Sequence, residues 1–191
     1  MRWFWKIPLL GPGIFAAWMI DARRKHGWIA DHLPDGGQLL EIGSGPGSVV
    51  TVLRDAGHDI TGIDVRDSSY NDTLIPDLYD GELMPYDDNS FDVALLLTVL
   101  HHTADPDAII REAARVARAV IIIEDIYHSP IQRRITKIAD AITNLEFFGH
   151  PHTNRDDQGW RDTFARLGLT LAHRSEKSIA WYFCQALYVV K

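Results

Sequence analysis

Short apolar runs alternate along this chain with longer stretches in which apolar residues recur at the spacing of a helix turn. A strand that is covered on both faces is apolar throughout, so this alternation is typical of a parallel β-sheet wrapped by helices. The runs with the strongest signal are residues 38–42, 58–64, 91–99 and 120–123. We therefore predict an α/β fold with a doubly wound, seven-stranded, mostly parallel sheet.

Turn and cap residues predict the remaining elements. Gly57 and Gly168 can adopt the left-handed conformation that ends a helix, and Asp105-Pro106 has the residues that open one. The two late strands are joined by a turn too short for a crossover helix, so they must pair as an antiparallel hairpin. The predicted helices are 47–56, 105–117, 131–142 and one that carries Trp160, Phe164 and Leu167; the further strands are a short one within 74–79 and the late strands 169–173 and 181–190.

The N-terminus begins like a secretory signal, because Arg2 and Lys6 precede an apolar stretch over residues 7–20. That stretch is too short to span a bilayer, prolines and glycines interrupt it, and no clean cleavage site follows. We predict a helical cap over residues 1–33 on a single compact domain of residues 34–191. Its aromatic side chains close the core as a flap, which is the favoured interpretation, or they touch a membrane surface; they are Trp3, Phe4, Trp5 and Trp18.

Charge and cysteine content limit the partners and the compartment. The net charge of -7 would repel a phosphate backbone, so nucleic acid is not expected as a partner. The single cysteine, Cys184, lies in an apolar run and has no intramolecular partner. It indicates a packed thiol in a reducing compartment, and we expect a cytoplasmic protein.

A glycine-rich turn follows the first strand. Gly43, Gly45 and Gly47 allow the backbone to approach a ligand closely, and Asp64 ends the next strand at the same edge of the sheet. A carboxylate there can accept both ribose hydroxyls of an adenosine ligand, or it can cap a helix. The dinucleotide fingerprint requires a glycine at the position of Ser48, so a nicotinamide-linked oxidoreductase is the weaker alternative.

Five ordered motifs between residues 38 and 126 resemble those of the class I S-adenosylmethionine (SAM)-dependent methyltransferases, in particular the small, single-domain type 11 subfamily. The chain departs from this family before the fifth strand, where Arg118-Ala119 replaces the usual Pro-Gly-Gly turn. The motifs are LEIGSGPG at 40–47, GIDV at 62–65, DGELMPY at 80–86, DDNSFD at 87–92, and VLHH at 99–102 with ADP at 104–106 and EAARV at 112–116.

The resemblance implies a Rossmann-like methyltransferase fold whose last strand is antiparallel, with SAM as cofactor and S-adenosyl-L-homocysteine as product. The methyl acceptor would be a small, partly apolar molecule. A protein that binds SAM without catalysis remains an alternative. Carried over position by position, Glu41, Gly43, Ser44, Gly45 and Gly47 would hold the methionine part, Asp64 the ribose and Val65 the adenine ring; Asp80, with Gly81 beside it, would accept from the adenine amino group, and Leu97 with Thr98 would line the floor near the sulfonium.

Two histidines end the fourth predicted strand at the ligand edge. His101 or His102 is a candidate general base, because an imidazole can take a proton at neutral pH. Hydrogen bonding of these rings to a neighbouring loop is the alternative. The acids and histidines that could line a methyl-acceptor pocket lack a recognised metal-ligand spacing, so no metal is expected; they are Glu124, Asp125, His150 and His152.

Overall fold

The computed structural model describes Trp5, Ile7, Gln132 and Arg134 together with residues 10–129, 153–180 and 183–191. These residues form one seven-stranded sheet in the order β3-β2-β1-β4-β5-β7-β6, in which β7 runs antiparallel to the other six strands. The predicted α/β fold is confirmed. The strands are β1 Gln38–Ile42, β2 Asp59–Asp64, β3 Asp77–Leu78, β4 Phe91–Leu97, β5 Ala117–Ile126, β6 Leu171–Ala180 and β7 Phe183–Val190.

Helices cover both faces of the sheet. Neighbouring residues of β1 divide between two buried clusters, with Leu39 in one and Leu40 in the other, as the alternation of side chains along a strand requires. The Leu39 face is covered by α1 (Leu10–Ile29) and α2 (Ser48–Asp55), and the Leu40 face by α3 (Pro106–Val116) and α4 (Asp157–Arg166).

Two strand boundaries differ from the prediction for local reasons. The strand β4 ends at Leu97 instead of residue 99, because Thr98 leaves the extended conformation and takes a φ of 61°. The strand β5 begins at Ala117, directly after Val116 ends α3, so helix and strand meet without an intervening loop. Arg118-Ala119, which the sequence analysis placed in a turn before the strand, therefore lies within β5.

The strand β6 is longer than the predicted 169–173. It lies at the edge of the sheet, and most of its residues are charged or polar and partly or fully exposed, so it has no apolar run. Most of the predicted helix 131–142, and His150 and His152 of the predicted loop, lie outside the described residues.

The N-terminal segment contacts the loop that follows β2. The indole nitrogen of Trp5 donates to the carbonyl of Ser68 at 2.9 Å, and Phe15 stacks on Tyr70 with ring centroids 3.9 Å apart. Trp5 therefore packs as a flap would, whereas Trp18 is 38% exposed. Of the helices in the described part of the chain, none is long and apolar enough to cross a membrane.

The helix α3 depends on its N-terminal cap. The Asp105 carboxylate accepts from the backbone N–H of Ala108 at 3.0 Å. We expect Asp105→Ala to lower the free energy of unfolding by about 1 kcal/mol, because that N–H loses its partner. Asp105→Asn should keep the wild-type value, since asparagine caps equally well. Urea denaturation measures both, and an equal loss in the two variants would contradict the role of the cap.

Candidate functional site

The sequence-predicted cofactor residues meet at one edge of the sheet. The strand β1 pairs with β2 on one side and with β4 on the other, so the chain order reverses beside β1. A crevice forms outside the carboxyl ends of parallel strands at such a reversal. The turn after β1, Asp64 of β2 and Thr98 after β4 all lie at these carboxyl ends.

The glycine turn is fastened to the end of β2. The N–H of Gly43 donates to the carbonyl of Ile63 at 2.8 Å, and the N–H of Gly45 donates to Oδ2 of Asp64 at 2.9 Å. Gly43 and Gly45 have φ angles of 76° and 52°. A Cβ on Gly43 would lie 2.3 Å from Cγ2 of Val99, whereas a Cβ on Gly45 would meet nothing within 4 Å among the described residues. The turn thus presents open space above Gly45.

Glu41, the predicted partner of the methionine part, is buried at the end of β1. Its Oε2 has no hydrogen-bond partner among the residues that the structure describes. Burial raises the pKa of this carboxyl from 4.5 to about 8, although the positive charge of Lys25 works in the opposite direction. A buried carboxylate oxygen without a partner is costly, so this residue fits a cationic ligand group such as an ammonium.

Lys25 is a site residue that the sequence analysis missed. This α1 residue is 7% exposed, and its Nζ lies 2.7 Å from Oγ1 of Thr98 and 2.9 Å from Oδ2 of Asp21. It therefore ties the first helix to the predicted floor at the end of β4. A signal was present in the sequence, because Lys25 lies three residues after Ala22 and four before Ile29, on the face of α1 that the core requires.

The residues predicted to contact the adenine ring form a backbone turn beside an exposed apolar side chain. The Asp80 carboxylate accepts from the backbone N–H groups of Glu82 and Leu83, and these bonds hold its pKa below the usual value. A Cβ on Gly81 would lie 3.3 Å from Cγ1 of Val65, so the two predicted segments adjoin. Val65 is 56% exposed, and a flat aromatic ligand would cover it.

The predicted base His101 belongs to a buried pair with Glu124. Its Nδ1 lies 2.6 Å from Oε2 of Glu124, and the other carboxylate oxygen accepts from the N–H of Leu100 at 2.7 Å. His101 is 2% exposed and Glu124 is fully buried. The ring of His102 lies beside it, with centroids 4.1 Å apart. The carboxylate of Glu124 thus holds Nδ1 of His101 and orients the ring.

Glu124 and Asp125 lie on opposite faces of β5, as consecutive strand residues must. Asp125 accepts from Nε2 of Gln185 at 2.8 Å, and Oε1 of Gln185 accepts from Arg24 of α1. Burial raises the pKa of Asp125 above its usual value. The two acids were predicted to line one pocket, but Glu124 hydrogen-bonds to His101 whereas Asp125 hydrogen-bonds to Gln185 on the other face.

Comparison with known proteins gives consistent matches. A family model described as a methyltransferase domain matches residues 40–120. The 27-O-demethylrifamycin SV methyltransferase of Amycolatopsis mediterranei is 35% identical over 44% of this chain and 35% of its own length. The ubiquinone biosynthesis O-methyltransferase of Hahella chejuensis is 27% identical over 59% of this chain and 50% of its own length. The chain thus spans half or less of these curated relatives.

Solved structures share the fold over more of the chain. A SAM-dependent methyltransferase from Methanosarcina mazei superimposes with a TM-score of 0.67 and 18% identity, over 85% of this chain and 95% of its own. At this identity the likeness concerns the fold.

The raised pKa of Glu41 predicts a pH-dependent stability difference. Between about pH 4.5 and 8 the folded ligand-free protein binds more protons at Glu41 than the unfolded chain does, so this residue lowers stability as the pH rises through that window. We expect Glu41→Gln to unfold with a free energy higher by about 2–4 kcal/mol at pH 8, with a smaller gain at pH 5. Urea titrations at both pH values test this, and a destabilised variant at pH 8 would contradict it.

Proposed function

Because residues 40–120 carry a class I SAM-dependent methyltransferase domain, we propose that this protein transfers the SAM methyl group to a hydroxyl oxygen of a small, partly apolar molecule. The observation that carries the proposal is the glycine turn, held open between Glu41 and Asp64 at the reversal of strand order. When bound, SAM supplies an electrophilic methyl group, so the protein must orient the methyl acceptor and remove its proton.

Each part of the cofactor has a residue of fitting chemistry. The Glu41 carboxylate receives the ammonium group of the methionine part, which removes the cost of its unpartnered oxygen. Asp64 uses its remaining lone pairs for the ribose hydroxyls, since each of its oxygens already accepts one backbone N–H. Val65 covers the adenine ring beside Asp80-Gly81.

Lys25 supports the floor of this site. Through Thr98 it holds the end of β4 in a left-handed conformation that is unfavourable for a β-branched residue. Its charge also favours the ionised form of Glu41. SAM binding by this chain therefore requires α1 in place, in addition to the glycine turn.

His101 is the proposed general base. With Nδ1–H donating to Glu124, the lone pair of Nε2 takes the proton of the methyl-acceptor hydroxyl, and the carboxylate stabilises the imidazolium that forms. The backbone near this ring is fixed, because Thr153 donates through its N–H to the carbonyl of His101 and through its hydroxyl to that of Leu100. His102 is the second candidate for the same role.

Oxygen is the proposed methylation centre. The names of both curated relatives place the methyl group on oxygen. A hydroxyl is also the group that benefits most from a base in this position, because its neutral form is a weak nucleophile. A net charge of -7 disfavours a large anionic polymer as methyl acceptor.

The cofactor assignment is tested by calorimetric titration with SAM, S-adenosyl-L-homocysteine and NAD. We expect the two sulfur ligands to bind the wild type and NAD to fail. Gly45→Ala should weaken binding on the order of 10-fold or more, since its Cβ enters the space above the turn.

Gly57→Ala is the matched control for this titration. Gly57 also has a positive φ and nothing within 4 Å of an added Cβ, but it lies after α2, away from the ligand edge. Both variants should lose similar stability, because both place alanine in the left-handed region. Binding of NAD in preference to SAM, or equal affinities in the two variants, would refute the assignment.

The base is tested with labelled methyl transfer to a panel of phenols, quinols and hydroxylated macrocycles. We expect His101→Gln to lower kcat on the order of 100-fold or more while the SAM affinity stays within about twofold, because only proton removal is lost. His102→Gln serves as the comparison. Loss of kcat in His102→Gln alone would move the role to that ring, and tight SAM binding with no turnover on any hydroxyl would favour a non-catalytic SAM-binding protein.

A further inference from the structure

Three side chains with metal-binding atoms converge away from the cofactor turn. His128 lies two residues after β5, Glu176 lies on β6 and Cys184 on β7. One ligand atom of each, an imidazole nitrogen, a carboxylate oxygen and the thiol sulfur, lies within 4.8 Å of the other two. A tetrahedral zinc ion with bonds of about 2.0–2.3 Å separates its ligand atoms by roughly 3.3–3.8 Å, so small side-chain movements suffice to enclose one.

The sheet register fixes this convergence. Cys184 pairs with Ile126 of β5 and with Ser178 of β6, and Glu176 pairs with Ala186. Paired residues in antiparallel strands point to the same face, so Glu176 and Cys184 are diagonal neighbours on one face of the hairpin. The backbone therefore holds two of the three ligands at a fixed spacing.

Surrounding hydrogen bonds orient the three groups. Gln132 accepts from the backbone N–H of His128 at 2.8 Å and donates through Nε2 to the sulfur of Cys184 at 3.4 Å. Arg174 donates to Oε2 of Glu176, which leaves Oε1 at 2.7 Å from Nε2 of His128. Partners of this kind are what positions the ligands in protein metal sites.

The ligand atoms of the group suit a divalent transition metal ion. Arg174 holds one carboxylate oxygen of Glu176, and the other oxygen faces Nε2 of His128. The mixture of nitrogen, oxygen and sulfur atoms matches zinc, whereas magnesium and calcium prefer oxygen alone.

We propose that His128, Glu176 and Cys184 bind one zinc-class transition metal ion, with a fourth position open to water. This departs from the expectation of no metal, which rested on spacing along the sequence; the ligands come from three elements separated by up to 56 positions in the numbering. The site lies beyond the carboxyl end of β5, on the face that also carries Glu124. It does not depend on the proposed methyl transfer.

The test uses Co2+ as a spectroscopic probe on the reduced, metal-free protein. Because Cys184 is the single cysteine, a sulfur-to-cobalt charge-transfer band can come from this residue alone. We expect the band to saturate at one equivalent, to disappear when Zn2+ displaces Co2+, and to be unaffected by excess Mg2+. Cys184→Ser should abolish the band.

Variants of the other two ligands distinguish the proposed site from one in which Cys184 binds cobalt with different residues. His128→Gln and Glu176→Gln should each weaken Co2+ affinity on the order of 100-fold. His58→Gln removes an imidazole near β2, towards the opposite end of the strand order, and should not change the affinity. Circular dichroism confirms that each variant is folded. Absence of the band in the wild type, or unchanged affinity in His128→Gln and Glu176→Gln, overturns the proposal.

Discussion

The fastening of the glycine turn to the end of β2 is the constraint on which the candidate site depends. Three backbone N–H groups of the turn, those of Gly43, Ser44 and Gly45, donate to Ile63 and Asp64, so the turn cannot move without breaking contact with the neighbouring strand. Asp64 thereby has a structural task as well as its proposed ligand contact. The same carboxylate that shapes the cradle also presents its oxygens at the ligand edge.

Several charged side chains are buried close together at this edge, which the overall composition does not reveal. Lys25 is a nearly buried cation whose field acts on both Glu41 and Asp125, while it contacts Asp21 directly. Burial raises the pKa of both carboxyls, and the charge of Lys25 only partly opposes it. A cationic ligand beside Glu41 would favour its ionised form, so ligand binding and stability are linked here.

The sequence predicted best those structural features whose residues are contiguous in the chain. The strand, the glycine turn and the following helix occupy one short segment, so local pattern was sufficient to place Gly43, Gly45 and Gly47. Contacts between distant segments were missed: Lys25 and Thr98 are far apart in the chain, and nothing in either local pattern links them. The predicted length of the edge strand β6 was too short for another reason, since solvent on its outer side removes the need for an apolar run.

Alternation within strands held information that the sequence analysis did not use. Glu124 and Asp125 are adjacent, and a period of two requires them to serve different faces. Their distinct partners, His101 on one face and Gln185 on the other, follow from that period once the strand is known to extend to Ile126.

The direct junction of α3 and β5 gives the two edges of the sheet different freedom to change. Val116 and Ala117 share a peptide bond across the boundary, so the helix cannot shift along the strand without pulling the strand out of register with β4. At the opposite edge, β2 and β4 are each followed by residues outside the sheet. Insertions after these two strands would leave the strand register unchanged, whereas an insertion between Val116 and Ala117 would separate a helix and a strand that now join directly.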